Sequence, residues 1–178
     1  MTRAQAVPDY LRAGLKLVIV GLNPGIRSAE TGHHYAWPGN HFWPLMFESG
    51  LAPAPWTYAE DRRVLEVDIG LTNIVDRPSR SASDLTAAEM RAGAEALRAK
   101  LLRYQPRVVC FNGKSIYQAF SGRRAVSFGR QAERLGESVL FVMPSTSARA
   151  AAYQRPAKLR FFRDLKALVD EVAGGTAS

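Results

Sequence analysis

Apolar residues recur along the chain in two rhythms. Nearly unbroken apolar runs occur at residues 15–22, Val108–Asn112 and Ser138–Met143, each followed within two residues by Pro or Gly. Runs of that length predict buried strands that enter turns. Residues 64–73 alternate weakly and predict one more strand. The second rhythm is helical. Thr86-Ala-Ala-Glu89 has the spacing of a capping box, and Met90, Ala94, Leu97, Leu101 and Tyr104 then step by four and three down one face until Pro106. Residues 113–121 predict a short helix. Residues 157–172 predict a long one, with Leu159, Phe162, Leu165, Leu168, Val169 and Val172 turned inward. The aromatic-rich stretch 40–50 ends in a glycine suited to a helix C-cap.

Strands alternating with helices imply parallel crossovers. The expected fold is therefore α/β: a three-layer α/β/α sandwich around a central, mainly parallel sheet of four to five strands. Such sheets bind ligands beyond the carboxyl ends of their strands. That rule selects residues 22–28, 73–77, 112–115 and 143–149, which hold most of the unusual side chains. At 178 residues the chain suits one domain, taken as 1–173, with 174–178 (Gly-Gly-Thr-Ala-Ser) as a flexible tail.

Charge adds a direction. The formal net charge is +8, but it is uneven: residues 1–122 carry net +3, residues 123–166 net +7 and residues 167–178 net −2. A basic face built by the C-terminal third suits a polyanion, although an Arg-rich solvated surface would give the same count. No apolar run approaches the roughly 20 residues of a membrane span, and the N-terminus lacks a hydrophobic signal region. Both point to the cytoplasm. The single cysteine, Cys110, excludes an internal disulfide, a Cys-rich zinc site and an iron–sulfur cluster.

Two segments carry candidate chemistry. Gly21-Leu-Asn-Pro-Gly25 lacks the glycine spacing of a dinucleotide loop and the Gly-Lys-Ser/Thr of a P-loop, so nucleotide cofactors lose support. It reads as a tight turn with an amide held at its entry. Residues 31–43 gather three histidines and four aromatics. Adjacent His33 and His34 diverge and lack a completing Cys or acid, so no metal is expected. The aromatics suit either core packing or base stacking.

In order along the chain stand Gly21-Leu-Asn-Pro-Gly25, Gly32-His-His-Tyr35, Pro38-Gly-Asn-His-Phe-Trp43, Leu71-Thr-Asn-Ile-Val-Asp-Arg-Pro78, Phe111-Asn-Gly-Lys-Ser-Ile-Tyr117 and Met143-Pro-Ser-Thr-Ser-Ala-Arg149. This set resembles the mismatch-specific uracil-DNA glycosylase and thymine-DNA glycosylase family, from about residue 15 to 168. Several segments look closer to the thymine branch.

The resemblance implies hydrolysis of the N-glycosidic bond of uracil, or thymine, opposite guanine. It implies duplex DNA with U·G or T·G mispairs as partner, no cofactor, a monomer, and action in the bacterial cytoplasm at the nucleoid. The base must leave the stack and enter a pocket. Asn23 matches the family's catalytic asparagine. An amide is no practical base near neutral pH, so it would orient the attacking water. Tyr35 would stack on the base, Asn73 would read its edge, and the main chain near Leu22 would stabilise the departing anion. Arg149 matches the residue that fills the vacated stack, with a phosphate contact as the alternative. Ser28, Lys114, Ser145 and Ser147 are candidate phosphate contacts.

Asp68 departs from the pattern. Just before Ile69-Gly-Leu-Thr-Asn73, it could activate water, or it could be a surface aspartate paired with an arginine. Asp76, beside Arg77, reads as a structural ion pair. No lysine adjoins Asn23, so lyase chemistry is not expected. The rival readings are a DNA-binding module that has lost catalysis and a small-molecule nucleoside hydrolase.

Overall fold

Five strands form one sheet in the order β2-β1-β3-β5-β4. In this computed structural model, residues 7–147 and 154–174 are described. Strands β1 (Leu17–Gly21), β2 (Ile69–Asn73), β3 (Val108–Asn112) and β5 (Ser138–Met143) run parallel. Strand β4 (Gly129–Leu135) runs antiparallel to β5 at the edge.

Alternation along each strand divides the core in two. Leu17, Ile19, Cys110 and Phe141 face one layer, where helices α2 (Phe42–Glu48) and α5 (Arg155–Gly174) supply Phe42, Met46, Phe162 and Leu165. Val18, Val20, Val109 and Val142 face the other. There α3 (Ala87–Tyr104) and α4 (Lys114–Ser121) supply Leu97, Leu101, Ile116 and Tyr117. The three-layer expectation is met. A fifth, short helix, α1 (Ile26–Thr31), follows the Asn-Pro-Gly turn.

The capping box of α3 forms as its spacing predicts: Glu89 N–H donates to Thr86 Oγ1 at 3.1 Å, and Thr86 N–H to Glu89 Oε1 at 3.2 Å. Two expectations are corrected. The second strand is only Ile69–Asn73; the stretch Tyr58–Val67 folds as 3-10 turns instead. Thr57 and Glu60 cap those turns, and Asp68 closes them in the left-handed conformation, φ 60°. The strand pattern also missed β4, which reads Gly-Arg-Gln-Ala-Glu-Arg-Leu. Charged side chains are what an edge strand carries, because they discourage pairing with another chain. Helix α5 extends through Gly174, one residue into the segment expected to be a tail.

Candidate active site

The four parallel strands deliver their carboxyl ends to one side of the sheet. Asn23 follows β1 there, Asn73 ends β2, Asn112 ends β3, and Pro144–Ser147 follow β5. Among the described residues no helix is long and apolar enough to cross a membrane.

Asn23 is held by its amide nitrogen. Nδ2 donates to the Arg77 carbonyl at 2.8 Å and to Ser79 Oγ at 2.8 Å. Ser79 in turn donates to the Ser81 carbonyl at 2.8 Å, so its oxygen is the acceptor. A carbonyl can only accept, which settles which end of the amide faces Arg77. The Asn23 oxygen is left unbonded among the described residues. Main-chain bonds zip the same segment onto the turn: Ile74 N–H to Gly21 O, Val75 N–H to Leu22 O and Ser79 N–H to Pro24 O. Leu22 thus continues the β1–β2 pairing, with its carbonyl already engaged.

Gly21 pairs in register with Asn73. A Cβ at position 21 would lie 2.4 Å from Asn73 Oδ1 and 3.0 Å from the Tyr35 hydroxyl. The missing side chain is therefore what lets the Asn73 amide and the Tyr35 phenol converge. Tyr35 takes a left-handed backbone, φ 53°, unusual for an aromatic residue. Its neighbours hold it there: His34 N–H donates to Asp61 Oδ2 at 2.8 Å, and Ala36 N–H donates to Ser28 Oγ at 3.1 Å. One face of the Tyr35 ring stacks on Phe42, centroids 3.9 Å apart. Burial pushes its hydroxyl pKa up, so it stays a neutral group, within 3.3 Å of Asn112 Nδ2.

Asp61 is the residue that sequence reasoning missed. Its side chain is 1% exposed and accepts from Tyr10 Oη (3.0 Å), His34 N–H and His33 Nδ1 (2.9 Å). His34 Nε2 donates to the Pro8 carbonyl at 2.7 Å, and burial pushes the His34 pKa down. The two histidines are thus scaffold. Of the aromatic cluster, Phe42 and Trp43 are core, whereas Trp37 is exposed beside a groove of about 510 Å³ that runs from Tyr35 to Trp56 and Tyr58.

Three candidates need correction. Asp68 stands at the amino end of β2, five residues and about 16 Å of strand from Asn73. It pairs with Arg12 at 2.7 Å and is 41% exposed, at the far side of the sheet from Asn23. Ser28 is buried and its hydroxyl oxygen accepts from Ala36 N–H, so it clamps the loop and is not placed for a phosphate contact. Asp76 makes no ion pair within 4.0 Å among the described residues; Arg77 pairs with Glu89 instead, at 2.7 Å. Asp76 is exposed on the segment that holds Asn23.

Lys114 opens α4 beyond β3, its ammonium 4.4 Å above the Phe128 ring. Ser145 Oγ accepts from Ser147 N–H at 3.1 Å. Asn112 grips Thr146 from both sides: Nδ2 donates to Thr146 Oγ1 at 3.0 Å, and Thr146 N–H donates to Oδ1 at 3.1 Å. Arg149 lies outside the described residues.

Residues 8–167 match the model of the Uracil DNA glycosylase superfamily. A G/U mismatch-specific uracil DNA glycosylase of Schizosaccharomyces pombe is 41% identical over 159 residues, covering 84% of this chain and 49% of that protein. The chain thus spans about half the length of the curated relative it matches. The solution NMR structure of a candidate uracil DNA glycosylase from Methanosarcina acetivorans superposes with a TM-score of 0.63 at 22% identity, covering 92% of this chain and 98% of that one. The latter likeness is one of fold.

Proposed function

The chain belongs to the Uracil DNA glycosylase superfamily, and we propose that it releases uracil opposite guanine from duplex DNA by hydrolysing the N-glycosidic bond. The observation that carries this reading is the fixed Asn23 amide, whose nitrogen is spent on Arg77 and Ser79 and whose oxygen is free. A bound water can donate to that oxygen and be aimed at C1′ while the base departs. The 41% identical relative is named for the same G/U specificity.

The flipped base lies against Tyr35, whose ring is braced from behind by Phe42. The Asn73 amide, unbonded among the described residues, meets the donor–acceptor edge of a pyrimidine dione. Main-chain N–H groups around Leu22 and Tyr35 face the charge that develops on the base. Asp76, exposed on the segment that holds Asn23, takes the carboxylate role in place of Asp68, while its charge also acts on Lys100. Lys114, Ser145 and Ser147 meet phosphates, and Arg149 fills the gap in the stack. The net +7 of residues 123–166 draws in the backbone.

The test is single-turnover release of free base from U·G, T·G and U·A duplexes and from single-stranded uracil, with wild type and Asn23→Ala. The expected result is U·G cleavage that the variant loses while duplex binding persists. No free base from U·G, or equal loss of binding and release, overturns the reading.

A further inference from the structure

Before β1 the chain makes a short pass along the outer edge of β2. Tyr10 and Leu71 exchange both main-chain hydrogen bonds there, at 2.9 and 3.1 Å, in an antiparallel bridge. The approach is close enough to constrain the strand: a Cβ on Gly70 would lie 2.4 Å from the Tyr10 carbonyl oxygen. One bridge holds an edge segment weakly. Polar contacts from Pro8, Asp9 and Tyr10 add to it, and they land beside the groups of the base slot.

The Pro8 carbonyl accepts from His34 Nε2 at 2.7 Å, one residue before Tyr35. Tyr10 Oη donates to Asp61, the carboxylate that also accepts from His34 N–H. Asp9 reaches the other side of the slot. Its Oδ1 accepts from Thr72 Oγ1 at 2.7 Å, one residue before Asn73, and its Oδ2 accepts from Lys100 Nζ of α3 at 2.7 Å. Thr72 is 1% exposed, and alternation along β2 turns its side chain to the face opposite Asn73. A valine would fill that place with no hydroxyl to satisfy. What the hydroxyl adds is direction, because a bond to a carboxylate fixes the strand end in angle as well as distance. Lys100 holds the second carboxylate oxygen, so the acceptor does not turn away.

We propose that Asp9 is a positioning residue for base reading. Through Thr72 it fixes the end of β2, and so where the Asn73 amide stands against the base. This rests on the function proposed above, in which Asn73 meets the edge of the flipped pyrimidine. Asp9 acts from the far face of β2 and reaches the base only through the strand. Pro8 and Tyr10 hold the Tyr35 side from the same three residues, so both walls of the slot share one reference.

The experiment is a double-mutant cycle in the full chain, read by single-turnover uracil release from a U·G duplex at saturating enzyme. Thr72→Val removes the hydroxyl and Asp9→Leu removes its acceptor. Each should slow release about tenfold, the scale of one hydrogen bond to a charged group, with duplex affinity within about twofold by gel shift. Thr72→Ser keeps the hydroxyl and should stay within about twofold of wild type. Combined with Asn73→Ala, Thr72→Val and Asp9→Leu should each slow release by less than about twofold further, because the group they act through is gone. A merely structural role would carry its full effect into that background. Should Thr72→Val or Asp9→Leu not fold, Asp9→Asn, which keeps the shape and removes the charge, carries the same cycle. An unchanged rate in Thr72→Val, a Thr72→Ser enzyme as slow as Thr72→Val, or a further tenfold loss on top of Asn73→Ala overturns the proposal. If wild type releases no uracil at all, the functional reading fails instead. The NMR signals of the Asn73 side-chain amide then decide: a shift in Thr72→Val and Asp9→Leu but not in Thr72→Ser upholds the positioning, and unmoved signals overturn it.

Discussion

The two flanks of the cleft are built differently. On the β1–β2 flank, each candidate group is held at two points. Asp61 and Ser28 bracket Tyr35, and Arg77 and Ser79 fix Asn23. On the β3–β5 flank, the Asn112 side chain and the His41 main chain hold Thr146, and Lys158 donates to the Ser147 carbonyl. The first arrangement suits chemistry, where an error of about 1 Å in the position of water or base costs orders of magnitude. The second suits a groove contact, which must follow a duplex that bends as the base leaves it. The contrast is between a slot that is pinned and a loop that is tethered.

Substitutions can break that contrast at either flank. The largest effect is expected from Asn23→Ala. It should cut single-turnover uracil release by about a hundredfold or more with duplex binding retained, because it removes the group that aims the water; gel-shift titration beside the kinetic assay checks both halves. Asp61→Ala should come next. It strands the buried His34 N–H and two half-buried donors and should lower stability by about 2 kcal/mol, read from urea or thermal unfolding. Tyr35 should then lose its geometry, so release from single strands and duplexes should fall alike. Asp76→Asn should slow cleavage by about tenfold with little change in affinity, the lower end of the gain from a positioned acid or base. The smallest effect belongs to Asp68→Asn. It removes an exposed pair with Arg12, worth well under about 1 kcal/mol, and its cleavage rate should match wild type; a loss like that of Asp76→Asn would return catalysis to the wrong end of β2.

How legible this site was depends on the range of the contacts. Strands β3 and β5 and the capping box of α3 follow from residues a few positions apart, and the sequence pattern finds their bounds directly. Asn23 and Tyr35 were reachable because their segments carry motif residues. Asp61 was not. It sits in Glu60-Asp-Arg-Arg63, where nothing local separates it from Glu60, and its partners lie 27, 28 and 51 residues away. Ser28 misled for the same reason. A serine after a turn looks solvent-facing until the fold buries it. Asp68 misled through polarity of the strand: proximity to Asn73 in sequence became distance because β2 runs from one to the other.

Gly21 leaves a mark on how this protein can vary. Every other amino acid has a Cβ, and at this position that one atom would fall 2.4 Å from the Asn73 amide and 3.0 Å from the Tyr35 hydroxyl. No change of the codon to another residue is a small step. The surrounding pocket can drift through graded substitutions, with Trp37, Ile26 or Phe47 on the surface exchanging size by degrees, but position 21 admits no intermediate. A lineage that reshaped Asn73 or Tyr35 would have to do so around an unchanged glycine.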